Sequence, residues 1–226
     1  MQRGREAFPV DAHLPTTAVL LTEGLGAVRA AATARTGGVP VDGLSLLSPV
    51  TTPCRVVAQA VNYRSHARQS GLGQDPPAMF CRKSSGSVSG PTDGIVRPAH
   101  VRLLDYELEL GLVIRRGPAT GPAVADLITG PAAALSLLAG FQRLDPGDLL
   151  LTGTPGGTAL QAPPAVVAKM GDLLLPTPLK WRVFFSRQER NLAYLKAGNV
   201  INASIASQDG ALDLGSQRTM VRDRPS

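Results

Sequence analysis

The sequence predicts an α+β fold in which β structure predominates. Glycine and proline are abundant, with 24 and 19 residues, whereas aromatic residues make up only 4% of the chain. This composition favours strands joined by turns over a helical bundle. With 226 residues, of which 43% are hydrophobic, the chain is long enough to bury a core. We expect residues 1–52 to form an N-terminal arm or small subdomain ahead of the main domain.

In the first half of the chain, three short elements are predicted. Residues 14–32 are expected to hold a strand and a short alanine-rich helix. The apolar run 56–61 is typical of a short strand. Asn62 follows it and is a suitable N-cap for a helical turn that continues to Arg68.

The second half alternates turns with short apolar segments. Pro118, Gly121 and Pro122 indicate a loop. Pro131 suits the first turn of a helix through Leu138, and residues 145–148 predict a turn that leads into a strand at 149–152. Residues 162–195 are expected to form a long surface excursion, covering a sheet edge or a dimer partner with its aromatic residues Trp181, Phe184 and Phe185.

Two carboxylates, those of Glu107 and Glu109, are predicted to share one face of a strand. They lie two residues apart in an apolar run that continues through residues 110–114, and side chains two apart on a strand point the same way, about 6 to 7 Å from each other. Like charges this close raise each other's pKa unless a cation compensates. Mg²⁺ or Mn²⁺ suits such a pair, although an ordinary strand with its polar face in water remains an alternative.

The charge distribution argues against a nucleic-acid partner. The chain has a net charge of +6 and a pI near 9.9, but its basic residues are scattered and accompany no helix-turn-helix, zinc-finger or aromatic ribonucleoprotein motif. A positive field around a site for small anions is the better interpretation.

No membrane role or secretion is predicted. The longest apolar stretch, residues 131–141, is too short to span a bilayer. Glu6 and Pro9 stand where a signal peptide needs an apolar core. Cys54 and Cys81 form neither a metal-type pair nor a disulfide framework, so a cytoplasmic location is expected.

An ordered set of motifs resembles the fumarylacetoacetate hydrolase family. In chain order these are Asn62-Tyr63-Arg64-Ser65-His66, Phe80 to Ser85, Gly90-Pro91, Glu107-Leu108-Glu109, Gly147-Asp148, Thr152-Gly153-Thr154-Pro155 and a closing strand at residues 209–215. The resemblance runs from about Pro53 to Arg218 and implies a mixed β-roll over residues 53–226. It also implies a homodimer that uses Mg²⁺ or Mn²⁺ to cleave, decarboxylate or isomerise small 2-oxo acids.

The resemblance also implies roles for individual residues. Glu107 and Glu109 would hold the metal, and His66 would activate water, as an imidazole near pKa 6.5 can. The family has a glutamate three residues after this histidine, where this chain has Gln69. Because an amide cannot take a proton, Gln69 would at most orient His66 through a hydrogen bond. The implied substrate contacts are Tyr63, Arg64, Lys83 and Thr154.

One block of the family pattern is missing. Members carry an Asn-Asp-x-Ser-x-Arg-Asp motif and a Gly-Lys-Ser motif after the Glu-x-Glu strand. In this chain the Glu-x-Glu strand is followed almost directly by a segment that resembles the one on the far side of that block. We therefore expect an internal deletion near residues 126–130 and an incomplete β-roll. The block would supply a third metal carboxylate and a substrate-binding lysine. Asp105 and Asp126 are the nearest substitutes, and no motif supports either.

The sequence thus predicts a metal-dependent hydrolase that cleaves a carbon–carbon bond in an acylpyruvate-like 2,4-dioxo acid, with a small anionic oxo-acid as its substrate. Two alternatives remain at this point. One is a catalytically impaired paralogue that acts in binding or assembly, which the missing block and Gln69 favour. The other is a decarboxylase or isomerase of 2-oxo acids.

Overall fold

The computed structural model describes residues 2–34, 36–73, 75–115 and 126–224. Within these ranges the strands are β1 Gln2–Arg3, β2 Glu6–Ala7, β3 Val39–Pro40, β4 Val56–Ala60, β5 Met79–Lys83, β6 Ile95–Arg97, β7 Gly111–Val113, β8 Leu149–Leu151, β9 Val200–Ala206 and β10 Asp213–Asp223. The α-helices are α1 Thr17–Thr22, α2 Leu25–Thr33, α3 Arg64–Gln69, α4 Pro131–Ala139, α5 Ala165–Leu174 and α6 Thr177–Gln188. The loop predicted at Pro118, Gly121 and Pro122 lies outside the described residues.

The described part of the chain forms three sheets. The largest has the order β5-β4-β8-β7, with β4 and β8 parallel and the other pairs antiparallel. The second has the order β6-β10-β9 and also mixes parallel and antiparallel pairs. The third joins β1, β2 and β3 in the N-terminal arm. These mixed sheets confirm the predicted α+β class, mainly β.

The core lies where α4 packs on the centre of the largest sheet. Val57 of β4 and Leu150 of β8 are buried against Ala134 and Leu138 of α4. The helix begins at Pro131, as predicted, because proline has no N–H to leave unpaired in a first turn. This packing fixes the parallel pair β4 and β8, whose ends carry the candidate site.

The predicted strand within residues 14–32 is wrong. The segment forms two helices, α1 and α2, and the Thr16 side chain caps α1 by accepting a hydrogen bond from the Val19 N–H. A short apolar run is compatible with either a strand or a helix, and here the capping threonine favours the helix.

The strand predicted around the acidic pair is only half correct. β7 covers Gly111–Val113, whereas residues 105–110 form no ladder apart from a Leu104 to Leu195 bridge at their start. The Leu108 N–H donates to the Thr154 hydroxyl at 3.2 Å instead of to a neighbouring strand. The segment is therefore held by the loop that follows β8.

Residues 162–195, predicted as a surface excursion, contain the helical pair α5 and α6. Trp181 and Phe185 stack with ring centroids 5.9 Å apart, and Phe184 meets Phe185 edge-on at 5.4 Å. That these rings cover a sheet edge or a dimer partner remains a prediction. Within the described ranges, no helix is long and apolar enough to cross a membrane.

An ion pair fastens the start of β4 to the turn before β8. Asp148 is 6% exposed and accepts hydrogen bonds from the Arg55 backbone N–H at 3.0 Å, the Arg55 Nε at 2.9 Å and the Asp145 N–H at 2.8 Å. Burial alone would raise the pKa of Asp148, but these hydrogen bonds and the arginine charge lower it below its usual value. The folded state therefore favours the ionised carboxylate.

We predict that Asp148→Asn lowers the free energy of unfolding by about 2 kcal/mol at pH 7, because charge-assisted hydrogen bonds to buried donors are lost. A folded-state pKa below the unfolded value stabilises the protein above the unfolded pKa near 3.9, and this contribution is lost as pH falls through the folded pKa. Urea titrations should show the parent and the variant converging in acid. The control Asp145→Asn, at a site where the side chain is 41% exposed, should lose less; an equal loss would contradict this account.

Candidate active site

The candidate site lies beyond the carboxyl ends of β4 and β8. Just after β4, Val61 has a φ of +52°, a strained conformation for a β-branched residue. It turns the chain so that Asn62 is buried, with 1% of its surface exposed, between the ends of the two strands. Strain of this kind often accompanies functional sites because the surrounding contacts must hold it in place.

The Asn62 side chain joins three segments. Its Nδ2 donates to the Thr152 carbonyl at 2.8 Å and to the Thr129 carbonyl at 3.0 Å, and its Oδ1 accepts from the Thr129 N–H at 2.8 Å. The Asn62 carbonyl also accepts from the Ile128 N–H at 2.7 Å. The predicted N-cap role is wrong, since Tyr63 is the N-cap of α3 and its own side chain makes no capping hydrogen bond. Asn62 makes tertiary contacts instead.

Glu107 and Glu109 do come together. The Glu109 Oε2 accepts a hydrogen bond from the Gly153 N–H at 2.5 Å. Burial is the largest influence on the pKa of Glu109 and raises it. The Gly153 N–H and the Lys83 charge lower this pKa, whereas the charge of Glu107 and hydrogen bonding with its side chain raise it. The net shift of the Glu109 pKa is upward. The negative charge of Glu107 thus acts on Glu109 without full compensation from nearby donors and cations.

Gly153 cannot be replaced easily. Its φ is +87°, which suits glycine, and a Cβ there would lie 3.0 Å from the Gln59 carbonyl oxygen and from the Asn62 Cβ. Only glycine lets the loop after β8 approach β4 this closely. The approach brings the Gly153 N–H to the Glu109 carboxylate.

Tyr63 and Thr154 lie beside the acidic pair. Thr154 is 6% exposed and its hydroxyl oxygen accepts from the N–H of Leu108, the residue between the two glutamates. Burial raises the pKa of Tyr63, and the negative charges of Glu109 and Asp126 raise it further. Tyr63 therefore stays protonated at neutral pH as a hydrogen-bond donor.

The structure gives weaker support for Arg64 and Lys83 as substrate contacts than for Tyr63 and Thr154. The Arg64 Nη1 donates to the Leu127 carbonyl at 3.1 Å, and its Nε lies 3.4 Å from Asp75. Lys83 is exposed, and its backbone pairs with Val56 at the start of β4, away from Asn62. Its charge still lowers the pKa of Glu109. Their roles in substrate binding remain predictions.

His66 and Gln69 do not form a pair. The His66 Nε2 lies 3.5 Å from the Ser70 hydroxyl, and its Nδ1 is buried with no partner among the described residues. Both ends of the Gln69 amide bind the loop after β8: the Oε1 accepts from the Gly157 N–H at 2.7 Å, and the Nε2 donates to the Thr158 carbonyl at 2.6 Å. Gln69 thus positions the loop instead of orienting His66.

Asp105 and Asp126, the nearest substitutes in sequence for the third metal carboxylate, both bind hydrogen-bond donors of the protein. Asp105 accepts hydrogen bonds from the Ala159 N–H at 2.7 Å and the Leu160 N–H at 3.3 Å. Asp126 accepts from the hydroxyl and N–H of Ser65. The Ser65 hydroxyl oxygen in turn accepts from the Gly156 N–H at 3.0 Å. Sequence reasoning missed Ser65, although it lies within the motif that includes His66.

The acidic pair fits a hard divalent cation. Two carboxylates in contact, one of them partly desolvated, are an arrangement that a cation relieves. Across the described ranges, no group of three or more His, Cys, Asp or Glu side chains is arranged to hold a metal. A bound ion would therefore take Glu107 and Glu109 and complete its coordination with water or substrate, as Mg²⁺ tolerates.

A cleft of about 640 Å³ opens beside Glu109. Its walls come from the N-terminal arm, from Leu108, and from β9 and β10. Leu46 and Leu47 of the arm are both exposed apolar side chains in this cleft. The cleft is large enough for a small organic acid with an apolar tail.

Comparison with known proteins identifies the family. The model described as "Fumarylacetoacetate (FAA) hydrolase C-terminal" matches this chain in two stretches, residues 55–123 and 118–222. Together the two stretches cover well over half of the chain.

Several curated relatives are named oxaloacetate tautomerases, including one from Rattus norvegicus and one from Bos taurus. Fahd2a, mitochondrial, of Rattus norvegicus is 24% identical over 238 residues, covering 72% of this chain and 76% of the relative. The alignment is 238 positions long, although it includes only 72% of the 226 residues of this chain. It therefore contains long gaps where the relative has residues that this chain lacks. FAHD2A, mitochondrial, of Bos taurus is 33% identical over 109 residues, covering 46% of this chain but 35% of the relative.

Among solved structures, maleylpyruvate hydrolase from Sphingobium sp. SYK-6, in complex with manganese(II) ion and pyruvate, superposes with a TM-score of 0.66. The superposition covers 100% of this chain and 96% of that chain at 17% sequence identity, which shows a shared fold. The similar proteins are enzymes named as hydrolases and tautomerases. The shared fold and the match of the family model across both halves lead to one conclusion: the chain belongs to the fumarylacetoacetate hydrolase family.

Proposed function

We propose that this protein is a metal-dependent hydrolase that cleaves the carbon–carbon bond of an acylpyruvate-like 2,4-dioxo acid. The observation that carries the proposal is the Glu109 carboxylate, which accepts a hydrogen bond from the Gly153 N–H, lies within the electrostatic influence of Glu107, and has Tyr63 and Thr154 beside it. Manganese and pyruvate in the related maleylpyruvate hydrolase support the same class of cofactor and substrate.

Glu107 and Glu109 would hold Mg²⁺ or Mn²⁺, whose chemistry when bound is Lewis-acid stabilisation of an enolate oxygen. The other groups position the substrate. Tyr63 is a protonated donor, and the Thr154 hydroxyl hydrogen can be donated while its oxygen accepts from the Leu108 N–H. Both can bind oxygen atoms of an oxo-acid, and the Arg64 and Lys83 charges favour the approach of an anion.

His66 is the proposed base. Its Nε2 lies 3.5 Å from the Ser70 hydroxyl, and its Nδ1 has no partner among the described residues, so a neutral imidazole keeps one nitrogen lone pair to accept a proton. The imidazole takes a proton from water, the water oxygen attaches to the acyl carbon, and the bond between this carbon and the pyruvate methylene breaks. The electrons of that bond form the pyruvate enolate, whose methylene carbon takes the proton back from the imidazolium, leaving a carboxylic acid and pyruvate.

Keto–enol tautomerisation of a 2-oxo acid is a second candidate, and the contacts of Gln69 favour it. Tautomerisation needs enolate stabilisation and proton transfer but no activated water. Because both ends of the Gln69 amide bind the loop, His66 has no acidic partner at that position to assist water activation. The curated relatives named oxaloacetate tautomerases point to the same reaction class.

The first functional prediction concerns metal binding. Mn²⁺ at about one hundred times its dissociation constant should raise the melting temperature by roughly 5 °C or more, since a ligand of the folded state stabilises it by about 2.7 kcal/mol. The Glu107→Gln/Glu109→Gln variant should lose this shift. A matched control, Glu6→Gln/Glu23→Gln, changes two exposed acids and should keep it. The same shift in both variants would place the metal elsewhere.

The second prediction concerns the base. His66→Ala should lower kcat/KM for acylpyruvate hydrolysis with Mn²⁺ by about 10² to 10⁴, the usual contribution of a general base. Ser70→Ala, which removes only the 3.5 Å neighbour of Nε2, should cost less than tenfold. Decay of enol-oxaloacetate is followed in parallel: turnover of this substrate alone would establish the tautomerase. Neither reaction, together with no metal shift, would indicate a binding paralogue.

The third prediction concerns Gln69→Glu. A carboxylate can still accept from the Gly157 N–H but cannot donate to the Thr158 and Leu160 carbonyls. Losing these two hydrogen bonds should remove about 1 to 2 kcal/mol and lower the melting temperature by several degrees. The control Gln217→Glu, on the exposed face of β10, should have little effect. A rise in hydrolysis without loss of stability would instead show that the carboxylate introduced at position 69 reaches His66 and does not depend on the contacts with the loop.

A further inference from the structure

The cleft beside Glu109 contains almost no charge. The chain has 23 lysine and arginine residues, but among the described residues that line this cleft, Glu109 is the only ionisable one. Aliphatic side chains come to it from two separate parts of the chain: Leu46 and Leu47 from the N-terminal arm, and Ile205 and Leu214 from β9 and β10. A ligand in the cleft therefore meets mainly apolar and neutral groups.

The arm segment that carries Leu46 and Leu47 is held at two points. The Thr17 hydroxyl donates to the Pro49 carbonyl at 3.1 Å. The Leu46 carbonyl oxygen lies so close to Gly90 that a Cβ on that glycine would be 2.9 Å away. Because these contacts fix the backbone, covering the two leucines with a ligand costs little conformational entropy. Removing their exposed apolar surface from water is favourable.

The lack of cations selects the ligand. A carboxylate placed in this cleft would lose water without gaining a positive partner among the described lining residues, which is unfavourable. An uncharged alkyl chain has no such cost and gains about fourfold in affinity for each CH₂ group that it buries. The volume of about 640 Å³ leaves room for such a chain beyond a pyruvyl group.

We propose that the substrate is an acylpyruvate whose acyl group is an uncharged alkyl chain, as in hexanoylpyruvate. This inference rests on the proposed function, because that function places the pyruvyl end of the substrate at Glu107 and Glu109. The alkyl chain lies in the cleft against Leu46 and Leu47, which are therefore specificity-determining residues. The same cleft selects against acylpyruvates that carry a second carboxylate at the far end of the acyl group.

Isothermal titration calorimetry of the full chain with Mn²⁺ tests the cleft without catalysis. The two ligands, 2-oxooctanoate and 2-oxooctanedioate, have the same carbon chain and differ only at the far end, which is a methyl group or a carboxylate. The parent should bind the monoacid about tenfold more tightly, because the second carboxylate loses water without gaining a cation.

Leu46→Arg supplies a cation to the cleft and should reduce this preference by about fivefold, since an exposed ion pair contributes up to about that factor. Leu44→Arg is the matched control. Leu44 and Leu46 belong to the same arm and are 43% and 42% exposed, but Leu44 is not among the residues that line the cleft. The control should therefore keep the preference of the parent for the monoacid.

Initial rates of hydrolysis with Mn²⁺ provide a second readout. The kcat/KM for hexanoylpyruvate should exceed that for acetylpyruvate by about tenfold or more, because the longer acyl chain places further CH₂ groups in the cleft. Hydrolysis of both substrates at equal kcat/KM would overturn this inference and leave the proposed function standing.

The binding data separate the two conclusions. Equal affinity of the parent for the monoacid and the diacid, no binding of either, or equal effects of Leu46→Arg and Leu44→Arg would overturn the assignment of the cleft. A preference for the monoacid that only Leu46→Arg reduces, without hydrolysis of any acylpyruvate, would support the assignment of the cleft and contradict the proposed reaction.

Discussion

The candidate site depends on the buried amide of Asn62. Its hydrogen bonds to Thr129 and Thr152 hold together the end of β4, the segment before α4 and the end of β8. A buried amide that lost these partners would leave several polar groups unpaired, at about 1 to 3 kcal/mol each. The strained Val61 that turns Asn62 inward is tolerated because this network compensates for the strain.

The loop after β8, which begins beside the Asn62 network, is held by hydrogen bonds from several segments. Gln69 and Ser65 of α3 bind its N–H groups at Gly157 and Gly156. Asp105 binds the N–H groups at Ala159 and Leu160. The loop therefore keeps the Gly153 N–H against Glu109. Such preorganisation keeps the two glutamates near each other although their negative charges repel. A bound cation would neutralise this repulsion.

The acidic segment shows where sequence reasoning succeeds and where it stops. The Glu-x-Glu spacing predicted that the two carboxylates influence each other, and the pKa of Glu109 is raised in part by Glu107. The shared strand face predicted for the pair is wrong, because residues 105–110 form no β-ladder. Their polar groups bind the loop after β8, a contact between residues more than forty positions apart in the chain. Local periodicity contains no information about such partners.

The sequence by itself determined the fold class, the family and the identity of the candidate residues, because composition and ordered motifs are local properties. It also determined that Gln69 cannot take a proton. Only the tertiary structure decided what Gln69 does, and that Asp105 and Asp126 bind N–H and hydroxyl groups. These facts depend on which distant groups satisfy each donor and acceptor, and the packing of the whole domain settles that pairing.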